Sequence, residues 1–196
     1  SKKSSFELRL KEVQSSHEEA FVFMIKIDAL TSLVKELGPD TIDQFIKDFA
    51  EILKSKTSVD SSVDIDAYRF FGSEFVLLMR GATVDQSERL ARSLSTSFAE
   101  LGEQYNKKDI AHIGVAAFDP FSPKNNILLA ANEAYEQAQL IGANSYYLRK
   151  GKDRAKDMAE WKELVFDIVD NDDFKVSYVS TTENLQAADV LMQDAF

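Results

Sequence analysis

A short hairpin-like stretch, residues 67–79, carries residue types from which a metal or anion site could be built. Its sequence is AYRFFGSEFVLLM, with Gly72 and Glu74 standing between two apolar runs. Glycine lets a backbone approach a ligand closely, and carboxylate oxygen is the ligand type that Mg²⁺ prefers. The stretch therefore indicates a site for an anionic substrate, the remains of such a site, or only a turn.

The elements around this stretch predict a mixed α/β (α+β) fold. Apolar runs of strand length occur at 20–27, 65–71, 74–79, 110–118 and 145–148. Helical patterns lie between most of these runs, and the last of them, at 125–141, precedes the final strand. Almost nothing separates the second and third strands, which indicates a hairpin. Because a hairpin is combined with crossover helices, we expect a mixed central sheet with flanking helices over residues 20–148.

Helix boundaries follow from capping residues and breakers. Gly38-Pro39 is a strong stop signal after the helical pattern at 30–37. Asp40 is expected to N-cap the next helix, with Asp43 in its first turn, where a negative charge favours the helix dipole. Thr83 or Asp85 opens the long helix that follows, and residues 6–10 read as the end of a lead-in helix.

Composition narrows the functional classes. The chain has 196 residues, 44% of them hydrophobic, and no cysteine, which excludes disulfides, thiolate metal sites and a cysteine nucleophile and fits a reducing cytoplasm. Its formal net charge of −10 repels phosphate backbones, so we expect no direct RNA binding by this fragment. No apolar stretch reaches the roughly 20 residues that span a bilayer, so we expect no direct membrane contact.

A change of composition after residue 150 predicts a domain boundary, with one domain at 1–150 and the start of another at 151–196. The second part holds a helical pattern at 157–169 with the only tryptophan, Trp161, a strand-like run at 174–179, and an apolar end. One helix and two short strands bury too little surface to fold alone. We therefore expect this part to dock on its own domain or on a second copy, which would give a homodimer.

The run Arg69-Phe70-Phe71-Gly72-Ser73-Glu74-Phe75 resembles the Arg-Tyr-Gly-Gly-Asp/Glu-Glu-Phe signature of the GGDEF domain of diguanylate cyclases. HIGVA at 112–116 resembles the family's Ser-Ile-Gly-Val-Ala strand, and AANEAYEQAQLIGAN, ending at 144, resembles its last helix. The resemblance covers roughly residues 5–149. It implies the nucleotidyl-cyclase-like fold and a site that joins two GTP molecules with the help of Mg²⁺.

At the metal site, the resemblance implies several losses. Lys26 stands at the position of the first-strand metal aspartate, Phe71 at that of the first hairpin glycine, and Ser73 at that of the hairpin acid. An ammonium group repels Mg²⁺, and the Phe71 ring is expected to obstruct a close approach to the nucleotide. Glu74 keeps one carboxylate, while Gly72 and Phe75 match the signature.

The nucleotide-binding positions show the same trend. Val34 aligns with the guanine-contacting asparagine, and Gln139 and Ala143 align with the lysine and arginine that bind the triphosphate. Asp43 retains a base-contacting aspartate, but a structural acid near a helix start explains it as well. Asp28 follows the first strand, where a lone aspartate is typical of a helix cap. We therefore expect no metal, no cofactor, no GTP binding and no cyclase activity.

Residues after 157 resemble the start of an EAL domain, with Val190-Leu191-Met192 where Glu-Ala-Leu would stand.

Two non-catalytic groups of GGDEF–EAL proteins resemble this chain. HIG at 112–114, GANS at 142–145 and VLM at 190–192 resemble the CsrD/MshH-like group, which promotes the decay of small regulatory RNAs. Lys26 also resembles LapD-like cyclic di-GMP receptors. The first is favoured, and it implies protein partners from the RNA-decay or signalling machinery, a cytoplasmic location, and a parent anchored in the bacterial inner membrane. A domain that binds GTP without cyclising it is the third alternative.

Overall fold

The structure is a computed structural model that describes residues 2–16, 18–28, 30–59, 62–119 and 124–149. The predictions for 151–196, including the boundary at 150 and the EAL-like Val190, Leu191 and Met192, lie outside these residues. The elements are α1 (Lys2–Ser16), β1 (Ala20–Ile27), α2 (Leu30–Leu37), α3 (Pro39–Thr57), β2 (Asp64–Phe71), β3 (Glu74–Arg80), α4 (Val84–Gln104), β4 (Ala111–Phe118), α5 (Lys124–Ile141) and β5 (Tyr146–Arg149). The predicted order of strands and helices is confirmed.

The five strands form one mixed sheet in the order β2-β3-β1-β4-β5. β1 pairs antiparallel with both β3 and β4, β2 pairs antiparallel with β3, and β4 pairs parallel with β5. β1 therefore lies at the centre, between the hairpin strand β3 and the strand that carries His112. The predicted mixed sheet with a hairpin is confirmed.

Helices cover both faces of the sheet because apolar residues alternate sides along each strand. On one face, residues such as Phe23, Phe75 and Leu77 pack with α3 and α4, where the Phe49 and Phe98 rings stack with centroids 4.8 Å apart. On the other face, Val22, Met24 and Leu78 pack with α1 and α5. The lead-in helix is thus part of the domain core, through three buried residues: Phe6, Leu10 and Val13.

Gly114, in the centre of β4, allows α5 to lie directly on the sheet. A Cβ atom added there would come within 2.1 Å of the Tyr135 backbone nitrogen and 2.3 Å of the Ala131 carbonyl oxygen. These are backbone atoms of α5, which no side-chain rotation can clear. The glycine therefore fixes the height of α5 above β4 and brings its last two turns to the end of β1.

The structure corrects the predicted start of α3. The helix begins at Pro39 with Gly38 as N-cap, so Asp40 lies inside the first turn and does not cap it. Gly38 has φ +77°, which favours glycine, and the fixed φ of proline suits the first helical position. Asp43 lies beyond the first turn, so the predicted dipole interaction was wrong for it. For α4, Thr83 is the N-cap and forms a capping box with Gln86.

Among the described residues, none of the helices combines the length and apolar character that crossing a membrane requires.

Candidate functional site

The C-terminal end of β1 and the hairpin turn lie side by side at the same end of the sheet. Lys26 pairs directly with Glu74 across the β1–β3 ladder, and its Nζ atom is 3.2 Å from Glu74 Oε1. Both side chains are about three-quarters buried, with exposures of 23% and 24%. The same Nζ lies 4.9 Å from the centre of the Tyr135 ring. The retained hairpin carboxylate is therefore neutralised by a cation from within the protein.

Arg69 holds the turn of the hairpin. Its Nη2 atom donates a hydrogen bond of 2.7 Å to the carbonyl oxygen of Gly72, and its guanidinium lies 5.7 Å from the Phe75 ring centre. Ile27 N also donates to Ser73 O at 2.8 Å, which ties the turn to β1. The side chain of Phe71 lies outside the described part of the structure, so its obstruction of the site stays a prediction.

Asp28 binds β4 and α5 together. One carboxylate oxygen accepts hydrogen bonds from Tyr135 Oη and, at 3.0 Å, from Gln139 Nε2, and the other contacts His112 Nδ1. Gln139 Nε2 also lies 2.9 Å from Tyr135 Oη. These contacts of the carboxylate run to β4 and α5. Residue 29, between Asp28 and α2, lies outside the described residues, so the helix-cap role of Asp28 stays a prediction.

His112 is the buried centre of this network, with 4% of its side chain exposed. Its Nε2 lies 2.7 Å from the Gly142 carbonyl oxygen and its Nδ1 faces the Asp28 carboxylate. Burial lowers the pKa of His112, but the hydrogen bonds to Asp28 and to the Gly142 carbonyl outweigh it and raise that pKa. Because a carbonyl oxygen only accepts, Nε2 carries a proton, and the imidazolium satisfies both oxygens.

Tyr135 completes the network from α5. Burial, followed by its hydrogen bond to Asp28, strongly raises the pKa of Tyr135, so the phenol stays protonated and remains a donor. Asn144, which is also buried, adds a second tie by accepting from Ile110 N at 2.7 Å and donating to Lys108 O at 2.9 Å. Together these bonds hold the end of α5 and the following loop against β1 and β4.

Three side chains of this region have metal-ligand chemistry. Asp28, Asp109 and His112 offer atoms that all lie within 4.8 Å of one another. However, both ring nitrogens of His112 already face protein oxygens, and Asp109 Oδ1 accepts from Asn144 N at 3.1 Å. The trio is organised as a hydrogen-bond network. At the position that the resemblance assigns to a metal ligand, Lys26 offers an ammonium group, which does not fit a metal.

The remaining positions predicted from the sequence are only partly brought together. Gln139 joins the Asp28 network, whereas Ala143 is exposed in the loop after Gly142. Val34 is 40% exposed on α2, and Asp43 is half-buried on α3. No hydrogen bond or ion pair of Asp43 is present within the described residues. Asp43 therefore has the residue type that the resemblance assigns to a guanine contact, and it is not bonded to the other predicted site residues that the structure describes.

Sequence reasoning missed the roles of His112 and Tyr135. Both lie in segments that match the family pattern, and His112 stands where the family has serine. A histidine within an otherwise apolar buried strand was the available signal, because such a side chain needs partners for both nitrogens.

The mixed five-stranded sheet, with its hairpin beside the central strand, has the architecture of a GGDEF domain, and comparison with known proteins agrees. The family described as "Diguanylate cyclase, GGDEF domain" matches residues 2–145, so the chain belongs to this family. No curated protein sequence matches the chain.

Three solved structures illustrate the shared fold. The active GGEEF domain of a diguanylate cyclase from Vibrio cholerae is 21% identical, with a TM-score of 0.61 over 72% of this chain and 90% of that one. Vibrio cholerae LapD, comprising S helix, GGDEF and EAL and bound to c-di-GMP, is 20% identical, with a TM-score of 0.62 over 86% and 40%. Pseudomonas aeruginosa SiaD, a diguanylate cyclase in complex with its activator SiaC, is 17% identical, with a TM-score of 0.60 over 72% and 55%. At these identities the likeness concerns the fold.

Proposed function

We propose that this chain is a non-catalytic GGDEF domain that acts in signalling through protein partners and neither binds nor cyclises GTP. The observation that carries the proposal is the ion pair between Lys26 and Glu74, 3.2 Å apart, at the position that the resemblance assigns to the metal. A lysine ammonium donates hydrogen bonds and has no lone pair for a metal. The site therefore supplies internally the positive charge that a bound cation would bring.

Electrostatics opposes a divalent ion at this place. Two unit charges 4 Å apart interact by roughly 4 kcal/mol at an effective dielectric constant of 20, and a dication doubles that term. Mg²⁺ beside the Lys26 ammonium would meet this repulsion and would also have to displace the ammonium from Glu74. With Ser73 neutral, no second hairpin carboxylate compensates.

The end of α5 likewise has no cationic side chain at the two positions that the resemblance assigns to triphosphate binding. Gln139, at the position that the resemblance assigns to a phosphate-binding lysine, directs its amide at Asp28 and Tyr135. Ala143, at the position assigned to the arginine, has no charge to offer. The amide of Gln139 instead lies 3.0 Å from the Asp28 carboxylate, an anion that offers phosphate no attraction.

Isothermal calorimetry with GTP and Mg²⁺ tests this proposal. We expect no saturable heat up to millimolar GTP, because metal and phosphate contacts are both missing. The Vibrio cholerae GGEEF domain provides the positive control. Micromolar affinity that is lost in Glu74→Gln would contradict the proposal, since it would show a working metal site on the hairpin.

Within this class, we propose a CsrD/MshH-like role in the turnover of small regulatory RNAs, exerted through protein partners. The motifs HIG, GANS and VLM support it, and the acidic surface favours protein over RNA contact. The parent is then a GGDEF–EAL protein with a degenerate EAL half beginning after residue 150, anchored in the inner membrane and facing the cytoplasm. Deleting its gene should lengthen the half-life of the target RNA, as measured by blotting after transcription is stopped; an unchanged half-life would contradict this role.

A LapD-like receptor module is the second candidate. Lys26 supports it, and so does the LapD structure, which matches 86% of this chain against 72% for the Vibrio cyclase domain. In this case the full GGDEF–EAL parent should bind cyclic di-GMP at micromolar concentrations by calorimetry. Absence of binding by the full parent would remove this candidate and leave the first one standing.

A further inference from the structure

A groove lies along the outer edge of β2, between α1 and α3. β2 is the terminal strand of the described sheet, with β3 beside it and no described strand beyond it. A groove of about 430 Å³ runs along it, with residues 65–68 as its floor. Ser5 and Arg9 of α1 form one wall, and Lys54 and Thr57 of α3 form the other.

The floor shows that the groove follows the strand edge rather than one face of the sheet. Ile65 and Ala67 pack toward the core that is shared with α3 and α4, whereas Tyr68 packs on the opposite side with Phe6 of α1. A groove lined by residues of both faces must lie at the edge, because successive side chains of a strand point to opposite sides. An edge strand turns unpaired N–H and C=O groups outward, which another strand can pair with.

The charge of the walls is opposite to that of the whole molecule. Arg9 and Lys54 are cationic, whereas the chain has a net charge of −10. On the α1 wall, Arg9 already forms an ion pair of 3.1 Å with Glu12 and lies 3.8 Å from Asp66, the acidic residue of the lining. On the α3 wall, Lys54 is exposed and has no ion-pair partner among the described residues. The positive charge that the groove can offer to a ligand therefore lies at Lys54.

We infer that this groove binds an extended segment of a partner protein that carries an acidic residue facing Lys54 and pairs with β2 as a sixth strand. Adjacent side chains of a strand point to opposite faces, so one residue of any adjacent pair faces the α3 wall, where Lys54 lies. Main-chain hydrogen bonds to β2 supply the pairing, and the acidic residue at Lys54 supplies specificity. A nucleic acid lacks the alternating N–H and C=O groups that the strand edge requires.

The groove shares no residue with the Lys26–Glu74 pair or the Asp28 network. The inferred binding of a protein segment therefore rests on the proposed function and adds the kind of partner. Its test is independent of GTP binding.

The test uses the ¹⁵N-labelled 196-residue chain and an eight-residue peptide with a central Glu-Glu pair flanked by valine and threonine. We expect saturable amide shift changes centred on residues 64–68, α1 and the end of α3. The same peptide with a central Gln-Gln pair should bind about tenfold more weakly, because the charge contacts are lost. A Glu-Glu peptide with alternate amides N-methylated should not bind, because it keeps the charges but cannot pair with the strand.

Charge reversal on the protein completes the test. Lys54→Glu should weaken binding of the Glu-Glu peptide about tenfold, whereas Lys47→Glu, the same change at another exposed position of α3, should leave it unchanged. The inference is overturned if the N-methylated peptide binds equally well, if Lys54→Glu and Lys47→Glu have equal effects, or if residues 64–68 show no shift at millimolar peptide.

Discussion

The two polar clusters at the end of β1 are neighbours, but they differ in how their charges are held. Lys26 and Glu74 form a single partly exposed ion pair across two strands. Two residues further along, Asp28 joins β1 to β4 and α5 through hydrogen bonds with three side chains. In the function proposed above, the first cluster takes the place of a metal charge, whereas the second fastens secondary structure elements together. The proposal thus predicts a position that tolerates change beside one that the fold requires.

This contrast predicts its largest effect at Asp28. Asp28→Ala removes the acceptor of His112, Tyr135 and Gln139 and leaves the buried imidazole without its anion. We expect the free energy of unfolding to fall by about 3 kcal/mol, as for other buried pairs that lose one partner. Urea unfolding followed by circular dichroism measures this change. As a control, Asp43→Ala should stay within about 0.5 kcal/mol of the parent; equal effects of the two would show that the network does not fasten the fold.

His112 predicts a pH dependence of stability on the alkaline side. Its folded pKa is raised above the ordinary value of 6.5, so its contribution is fully present below the unfolded pKa. The contribution is lost as the pH rises through the folded pKa, where the imidazolium gives up its proton. In His112→Gln this part of the pH profile should disappear. Thermal unfolding between pH 5.5 and 9 measures both profiles, and superimposable slopes would show that His112 is neutral.

Lys26 offers a change that should restore a metal site. Lys26→Asp places a second carboxylate directly across the ladder from Glu74, and a divalent ion is the simplest charge to satisfy both. We expect Mg²⁺ or Mn²⁺ at ten times its dissociation constant to stabilise the variant by about 1.4 kcal/mol and the parent not at all. Thermal shift with and without the ion measures this. An equal shift in both proteins would contradict the idea that Lys26 occupies the place of the cation.

The smallest expected effect is that of removing the ion pair alone. Lys26→Met keeps the apolar stem of the side chain but leaves Glu74 partnerless at 24% exposure of its side chain. A partly exposed pair contributes little, so we expect a loss of about 0.5–1 kcal/mol in the free energy of unfolding. A loss as large as that of Asp28→Ala, measured in the same urea series, would erase the distinction between the two clusters.

The sequence predicted the sheet and its helices well because most strands are rich in apolar residues and most helices have an apolar face. The short turn at Gly72-Ser73 sets the register of β2 with β3, whereas the pairing of residues 26 and 74 depends on how β1 lies beside β3. The start of α3 was missed because Gly38-Pro39 ends one helix and also begins the next. Proline at the first helical position makes this possible, and the aspartate that follows it was mistaken for the cap.

The Asp28 network was beyond sequence reasoning for a different reason. His112 is 84 residues from Asp28 and Tyr135 is 107 residues away, and their contact depends on how closely α5 lies on β4. Gly114 sets that height, and a glycine within a strand pattern indicates close approach without showing which side chains meet. A motif thus predicts which residue types stand at single positions, whereas the contacts between them require the packed structure.

The most direct measurement of the central claim is a cyclase assay on the purified chain. GTP is incubated at high protein concentration with Mg²⁺ and, separately, with Mn²⁺, and the nucleotides are separated by chromatography. We expect unchanged GTP and no cyclic di-GMP with either metal, because the Lys26 ammonium neutralises Glu74 and no cation replaces the phosphate contacts of α5. Formation of cyclic di-GMP that is abolished by Glu74→Gln would contradict the account.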